Sequence, residues 1–179
     1  MKILGLAGSL RADSLNAQLL RLAAEELPAG VELDVYSGLA EIPPYDQDLE
    51  DLVPAPVEAL KRAIADADAV LLTTPEYNGS IPGQLKNALD WVSRPISESP
   101  IRGKRTAVIG ASTGAFGAIW AQRELKKVLG LMSAKVLDIE LPVAKADRRL
   151  ADPDPELREE LAGVLEALAS AAVAEAVAA

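Results

Sequence analysis

Ser9, Arg11, Ser14 and Asn16 fall within one short polar stretch, and together they are suited to holding an anion. The three neutral side chains offer two hydroxyls and an amide, and Arg11 offers a fixed cation whose planar fork matches phosphate oxygens. Lys2–Ala7 before them reads as an apolar strand and Gly8–Asp13 as a tight turn. Ser14 then caps a helix with Leu15, Leu19, Leu22 and Leu27 on one face. A strand, a glycine turn and a helix N-terminus leave unpaired N–H groups and partial positive charge in the turn. The stretch lacks the G-x-G-x-x-G of dinucleotide-binding turns and the G-x-x-x-x-G-K-[ST] of nucleotide triphosphatases. Hydroxyls with one arginine suit a terminal phosphate monoester held without a metal. The same residues would also serve an ordinary strand–helix connection whose Ser and Asn merely cap and turn.

Other chemistry is narrowed by what is missing. The 179 residues include no histidine and no cysteine, which removes disulfides, thiol nucleophiles, Ser-His-Asp triads and most zinc sites. Asp46 and Asp48 form a D-x-D in an acidic loop, but without supporting ligands they read as a solvated loop rather than a magnesium site. The net charge of −9 argues against nucleic acid and anionic lipid as partners, and it means that an anionic cofactor needs local cations. The chain enters a strand at once, and no run approaches the roughly 20 apolar residues of a membrane span. A cysteine-free chain of this kind is expected in the cytoplasm.

The rest of the chain must position these groups. Val31–Tyr36 alternates like a half-exposed strand, and a Pro- and acid-rich loop, Ser37–Leu52, follows. Val57, Leu60 and Ile64 mark a helix, Ala67–Thr74 a nearly continuous apolar strand, and Pro82 opens a helix with Leu85, Leu89 and Val92 on one side. Thr106–Gly110 is a fourth strand, followed by the turn ASTGAFG and a helix that stops at Gly130. Ala134–Ile139 is a fifth strand, Pro155 starts the last helix, and Ala167–Ala179 reads as its frayed end. Five strands alternating with five helices predict one domain over 1–179: an α/β, flavodoxin-like three-layer sandwich. The expected sheet is five-stranded and parallel, in the order 2-1-3-4-5, with helices on both faces. The polar turns after strands one, three and four then meet at the carboxyl ends of the strands, where ligands bind in such folds.

The second turn opens the stretch TPEYNGSIPGQLKNALDWVSRP, Thr74–Pro95. Paired with GSLRADSLN, it resembles the NADPH-dependent FMN reductase family, which includes flavodoxin-like quinone, azo and chromate reductases. The resemblance runs from Lys2 to about Ile139. It implies that Ser9, Arg11, Ser14, Leu15 and Asn16 hold the FMN phosphate, and that Pro75, Glu76, Tyr77 and Asn78 lie against the isoalloxazine. It also implies that Ser112, Thr113, Gly114 and Gly117 flank the flavin's other edge. The residue types agree: a flavin needs flat apolar area and backbone groups that reach its ring. Phe116 and Trp120 either line the pocket or pack the helix, Trp91 reads as core or interface, and Tyr45 is placed over the flavin of its own or a neighbouring subunit. Arg94, Arg102, Lys104 and Arg105 precede strand four and read as solvated surface at the opposite end of the sheet.

The function expected is hydride transfer from NADPH or NADH through FMN to a small-molecule acceptor such as a quinone, azo compound, chromate or free flavin. No catalytic side chain is required, because the flavin performs the chemistry. A homodimer or homotetramer is implied, with the Pro82–Val92 helix at a contact. An electron carrier that binds FMN with little NAD(P)H turnover is the alternative, since fold alone does not separate the two.

Overall fold

A computed structural model describes the backbone over residues 1–178 and side-chain burial over residues 1–170. The strands are β1 (Lys2–Ala7), β2 (Glu32–Tyr36), β3 (Ala69–Thr74), β4 (Arg105–Ala111), β5 (Lys135–Val136) and β6 (Pro142–Val143). The helices are α1 (Leu15–Glu25), α2 (Ala55–Ala65), α3 (Gly83–Val92), α4 (Ile119–Leu131), α5 (Ala146–Arg149) and α6 (Pro155–Ala178). All pairings are parallel, and the sheet runs β2-β1-β3-β4-β5 with β6 also on β4. The order is the one that strand texture predicts. β3 is buried along its whole length, whereas β2 shows a mostly exposed pattern suited to an edge.

Side-chain alternation divides the core into two layers. Leu4, Leu6, Val70, Leu72 and Val108 face α2, α3 and α4, packing on Leu60, Ile64, Leu85, Leu89 and Leu125. Ile3, Ala69, Leu71, Ala107 and Ile109 face the other way, onto Leu19 and Leu20 of α1 and Leu157, Leu161 and Leu165 of α6. Each fully buried leucine is worth about 1.5–3 kcal/mol, so these two layers carry the fold.

The fifth strand differs from expectation. Only Lys135–Val136 pairs at the base of β4, and Pro142–Val143 rejoins β4 near its carboxyl end. Between them the chain lifts off, with Asp138 fully exposed. The buried amide of Gln122 on α4 fills the gap: its Oε1 accepts from Leu141 N at 3.3 Å and its Nε2 donates to Gly117 O at 2.9 Å. The short helix α5 was also absent from the sequence reading. The Ala-rich tail is helical through Ala178, and its fraying lies outside the described residues, as does Ala179.

Three polar side chains of α3 hold the acidic loop in place. Gln84 Nε2 donates to Leu39 O and Ile42 O, both at 2.8 Å. Asn87 accepts from Tyr45 N at 2.7 Å and donates to Pro43 O at 2.8 Å, and Trp91 Nε1 donates to Pro43 O at 2.9 Å. Trp91 is therefore core, in edge contact with Tyr45 at 5.0 Å between ring centroids. The Tyr45 hydroxyl donates to the Glu50 carboxylate. Tyr45 is thus committed to α3 and its own loop. Asp46 Oδ1 accepts from Asp48 N at 3.0 Å, so the D-x-D is a capped turn. Lys104 is only half-exposed; its ammonium donates to the carbonyls of Ala65 and Ala67, and burial lowers its pKa.

Candidate functional site

The turns after β1, β3 and β4 meet around a cavity of about 170 Å³. The first turn is shaped by a close approach. Gly8 N donates to Thr73 O at 2.7 Å, and a Cβ on Gly8 would lie 2.9 Å from Leu85 Cδ2 and 3.1 Å from Thr73 O. Only glycine lets β1 turn this tightly against β3. Ser9 Oγ accepts from Arg11 N at a long 3.5 Å. Ser14 caps α1, its Oγ accepting from Ala17 N at 3.2 Å, and its hydroxyl hydrogen remains to donate to a ligand. The amides of Leu15 and Asn16, in the first turn of α1, have no intrahelical acceptor and supply two more donors. Arg11 is exposed and, among the described residues, has no carboxylate partner.

Asn16 lines the cavity, but its side chain is already committed. Its Nδ2 donates to Ala111 O and its Oδ1 accepts from Ala111 N, both at 3.0 Å, and the residue is buried. Its carbonyl accepts from Thr73 Oγ1 at 3.0 Å. Asn16 thus ties α1 to the ends of β3 and β4. Sequence reasoning missed Ala111, the last residue of β4, which also lines the cavity. Its side chain carries no polar signal; its place follows only from the strand's end.

Pro75, Glu76 and Tyr77 line the second side of the cavity. Tyr77 and Ser80 exchange backbone hydrogen bonds at 3.0 and 3.1 Å across Asn78 and Gly79, whose φ values are 55° and 74°. Two central residues with positive φ make a type I′ turn, the conformation that Asn-Gly favours. Asn78 is therefore a turn residue with an exposed side chain, outside the cavity lining, and Tyr77 projects half into solvent. The Glu76 carboxylate points to α4 and accepts from Trp120 N at 3.1 Å and Ala121 N at 3.2 Å.

The third side is Ser112 and Thr113. Ser112 Oγ accepts from Gly114 N at 3.1 Å, and α5 backs the turn through Lys145 N to Gly114 O at 3.1 Å and Ala146 N to Ser112 O at 3.0 Å. Gly114 and Gly117 stand apart from the cavity lining. Gly117 has a structural duty: its φ is 55°, and a Cβ there would meet the Pro142 carbonyl carbon at 2.3 Å. Phe116 and Trp120 form an exposed aromatic pair, 4.7 Å between centroids, rather than packing α4 on the core. A second cavity, about 350 Å³, adjoins the first across Ser9, Arg11 and Tyr77 and extends to Leu10, Pro82 and Gly83. The basic cluster is elsewhere: Arg94 and Arg102 line a separate surface hollow with Gln47 and Glu50.

The chain matches the family model for NADPH-dependent FMN reductase over residues 1–148. It is 43% identical over 138 residues to a 2-hydroxy-1,4-benzoquinone reductase from a Burkholderia species, covering 77% of this chain and 75% of that one. It is 42% identical over 139 residues to an NAD(P)H-dependent FMN reductase from Pseudomonas aeruginosa, covering 77% and 74%. Among solved structures, a flavoenzyme NAD(P)H:(acceptor) oxidoreductase from Paracoccus denitrificans superposes with a TM-score of 0.82 at 34% identity, covering 93% of this chain and 94% of that one. With the flavodoxin-like sheet and the three-turn cavity, these matches establish that the chain belongs to the NADPH-dependent FMN reductase family.

Proposed function

We propose that this protein is an FMN-dependent NAD(P)H oxidoreductase that passes reducing equivalents to a quinone. The observation that carries the reading is the convergence of three turns on one cavity beside an unpaired Arg11 and the free amides of α1. Those donors fit a phosphate monoester in kind: one bidentate cation, the Ser9 and Ser14 hydroxyls, and the Leu15 and Asn16 amides. Tyr77 and Pro75 offer flat surface at the rim for a ring system.

FMN bound there would supply the redox chemistry that links NAD(P)H to the acceptor. The protein's part is binding and orientation. Arg11 and the hydroxyls would hold the phosphate end, Pro75 and Tyr77 would offer surface to the ring, and Ser112 and Thr113 would line the opposite edge. Hydride transfer depends on holding donor and acceptor carbons close together, so the absence of histidine is no obstacle.

The cofactor residues Ser9, Arg11, Ser14, Leu15, Asn16, Pro75, Glu76, Tyr77, Asn78, Ser112, Thr113, Gly114 and Gly117 are proposed as a set, with Asn16, Glu76 and Gly117 acting mainly by holding the turns together. The chain is read as one cytoplasmic domain that self-associates as a dimer or tetramer. Exposed Ile96 and Leu131, beside a groove between α3 and α4, support self-association. Steady-state oxidation of NADH and NADPH with a benzoquinone acceptor tests the reading. Turnover should require FMN, and double-reciprocal plots should be parallel, because one site serves both substrates in turn. Full turnover without FMN would sink it.

A further inference from the structure

We infer that Glu76 is a positioning residue whose carboxylate caps α4 and thereby locks the loop after β3 to the first turn of α4, which carries Trp120 of the exposed aromatic pair. The inference deepens the flavin reading and rests on it for its functional consequence. The reason lies in how α4 begins. Its N-cap position is Ala118, in the left-handed conformation at φ 61°, with no side-chain hydrogen bond and no acidic residue in the first turn. A helix that starts this way leaves its first amides without partners. Glu76, 44 residues earlier in the chain, supplies the missing acceptor: Oε2 takes both Trp120 N and Ala121 N. A carboxylate is also the side chain that the positive end of the helix dipole favours.

The bond ties a cavity-lining loop to α4. On one side Glu76 stands between Pro75 and Tyr77, which line the cavity. On the other, the Trp120 amide belongs to the residue whose ring pairs with Phe116. The start of α4 is otherwise held by Ile119 N on Phe116 O at 3.1 Å, by the Gln122 amide on Gly117 O and by the close approach of Gly117 to Pro142, none of which reaches the loop after β3. Glu76 therefore sets the spacing between the loop that carries Tyr77 and the exposed Phe116–Trp120 pair.

The test compares Glu76→Ala with Glu76→Gln, whose amide oxygen still accepts. Acrylamide quenching of the apo-protein reports on Trp120, because Trp91 is fully buried and shielded from the quencher. Glu76→Ala should increase quenching and weaken FMN binding about 3- to 30-fold, the range of a lost helix cap. Glu76→Gln should keep parent-like quenching and stay within about threefold of parent FMN affinity. Equal loss of FMN affinity in both variants with unchanged quenching would overturn the inference in favour of a direct cofactor ligand. Unchanged behaviour in both variants would also overturn it. If the parent protein fails to bind FMN, the flavin reading falls on its own, and the quenching comparison still decides whether Glu76 holds α4.

Discussion

At the scale of single residues, polar groups at the cavity divide into those left free and those already used. Among the described residues Arg11 has no carboxylate partner, and the Ser9 and Ser14 hydroxyls each retain a donor, whereas the Asn16 amide is paired with Ala111 on both sides. Charge-assisted bonds to phosphate are worth roughly 1.5–3 kcal/mol each, so Arg11→Ala should weaken FMN binding about 10- to 150-fold with an unchanged thermal midpoint. Flavin fluorescence titration checks this; unchanged affinity would place the phosphate elsewhere. Selectivity follows from the same donors. FMN should bind far more tightly than riboflavin, which has no phosphate, and than FAD, whose phosphate is esterified to a bulky nucleotide. Comparable affinities for the three in the same titration would remove the argument from Arg11 and its neighbours.

At the scale of elements, helix ends and helix faces do the positioning. Gln84, Asn87 and Trp91 lie one and two turns apart on α3 and pin residues 39–45 against it. Asn87→Ala leaves the Pro43 carbonyl and the Tyr45 amide each one partner short, and should cost about 1–3 kcal/mol in urea unfolding. Asp154 caps α6: its Oδ1 accepts from Leu157 N at 2.7 Å, and its carboxylate accepts from the Arg149 guanidinium. The Leu157 amide first, then Arg149, hold this carboxyl below the usual range. A depressed folded pKa means that the contribution is present above the unfolded value near pH 4 and is lost as pH falls through the folded one. The thermal midpoint of Asp154→Asn should therefore lie below the parent's at pH 7, and the gap should narrow as pH drops under about 4. A gap that persists unchanged at pH 3 would contradict the assignment.

The elements also mark what a sequence can reveal. β1 was legible to the residue because Lys2–Ala7 runs straight into a glycine turn; the end of β3 was legible because its apolar run stops at Pro75, whereas its start lies two residues later than the apolar run suggests. Strand order was legible from which strands are apolar on both faces. The broken fifth strand was not, because Lys135 and Asp138 announce an edge without saying where the chain leaves β4. That depends on Gln122, whose amide looks like any surface glutamine until α4 is folded onto the sheet. At the site, residue types singled out Ser9, Arg11 and Ser14, which the structure brings to one cavity. They did not reveal that Asn16 and Glu76 spend their side chains on backbone groups 95 and about 45 residues away. Such long-range pairings have no local signature.

At the scale of the whole molecule, a chain with net charge −9 gathers its anion donors at one end of a parallel sheet. Relatives named for quinone and FMN reduction share most of its length, and its fold brings three turns together around one cavity. Sedimentation should give a dimer or tetramer, and Leu131→Asp, on the exposed end of α4, should shift it toward monomer; a monomeric parent protein would remove the self-association reading. The central claim is that bound FMN relays electrons from NAD(P)H to a quinone, and anaerobic visible spectroscopy of the FMN-loaded protein tests it most directly. One equivalent of NADPH or NADH should bleach the yellow colour within the time of a catalytic turnover, and a benzoquinone should restore it. Colour that persists through long incubation with both nucleotides would contradict the account and point to an electron carrier that depends on a separate reductase.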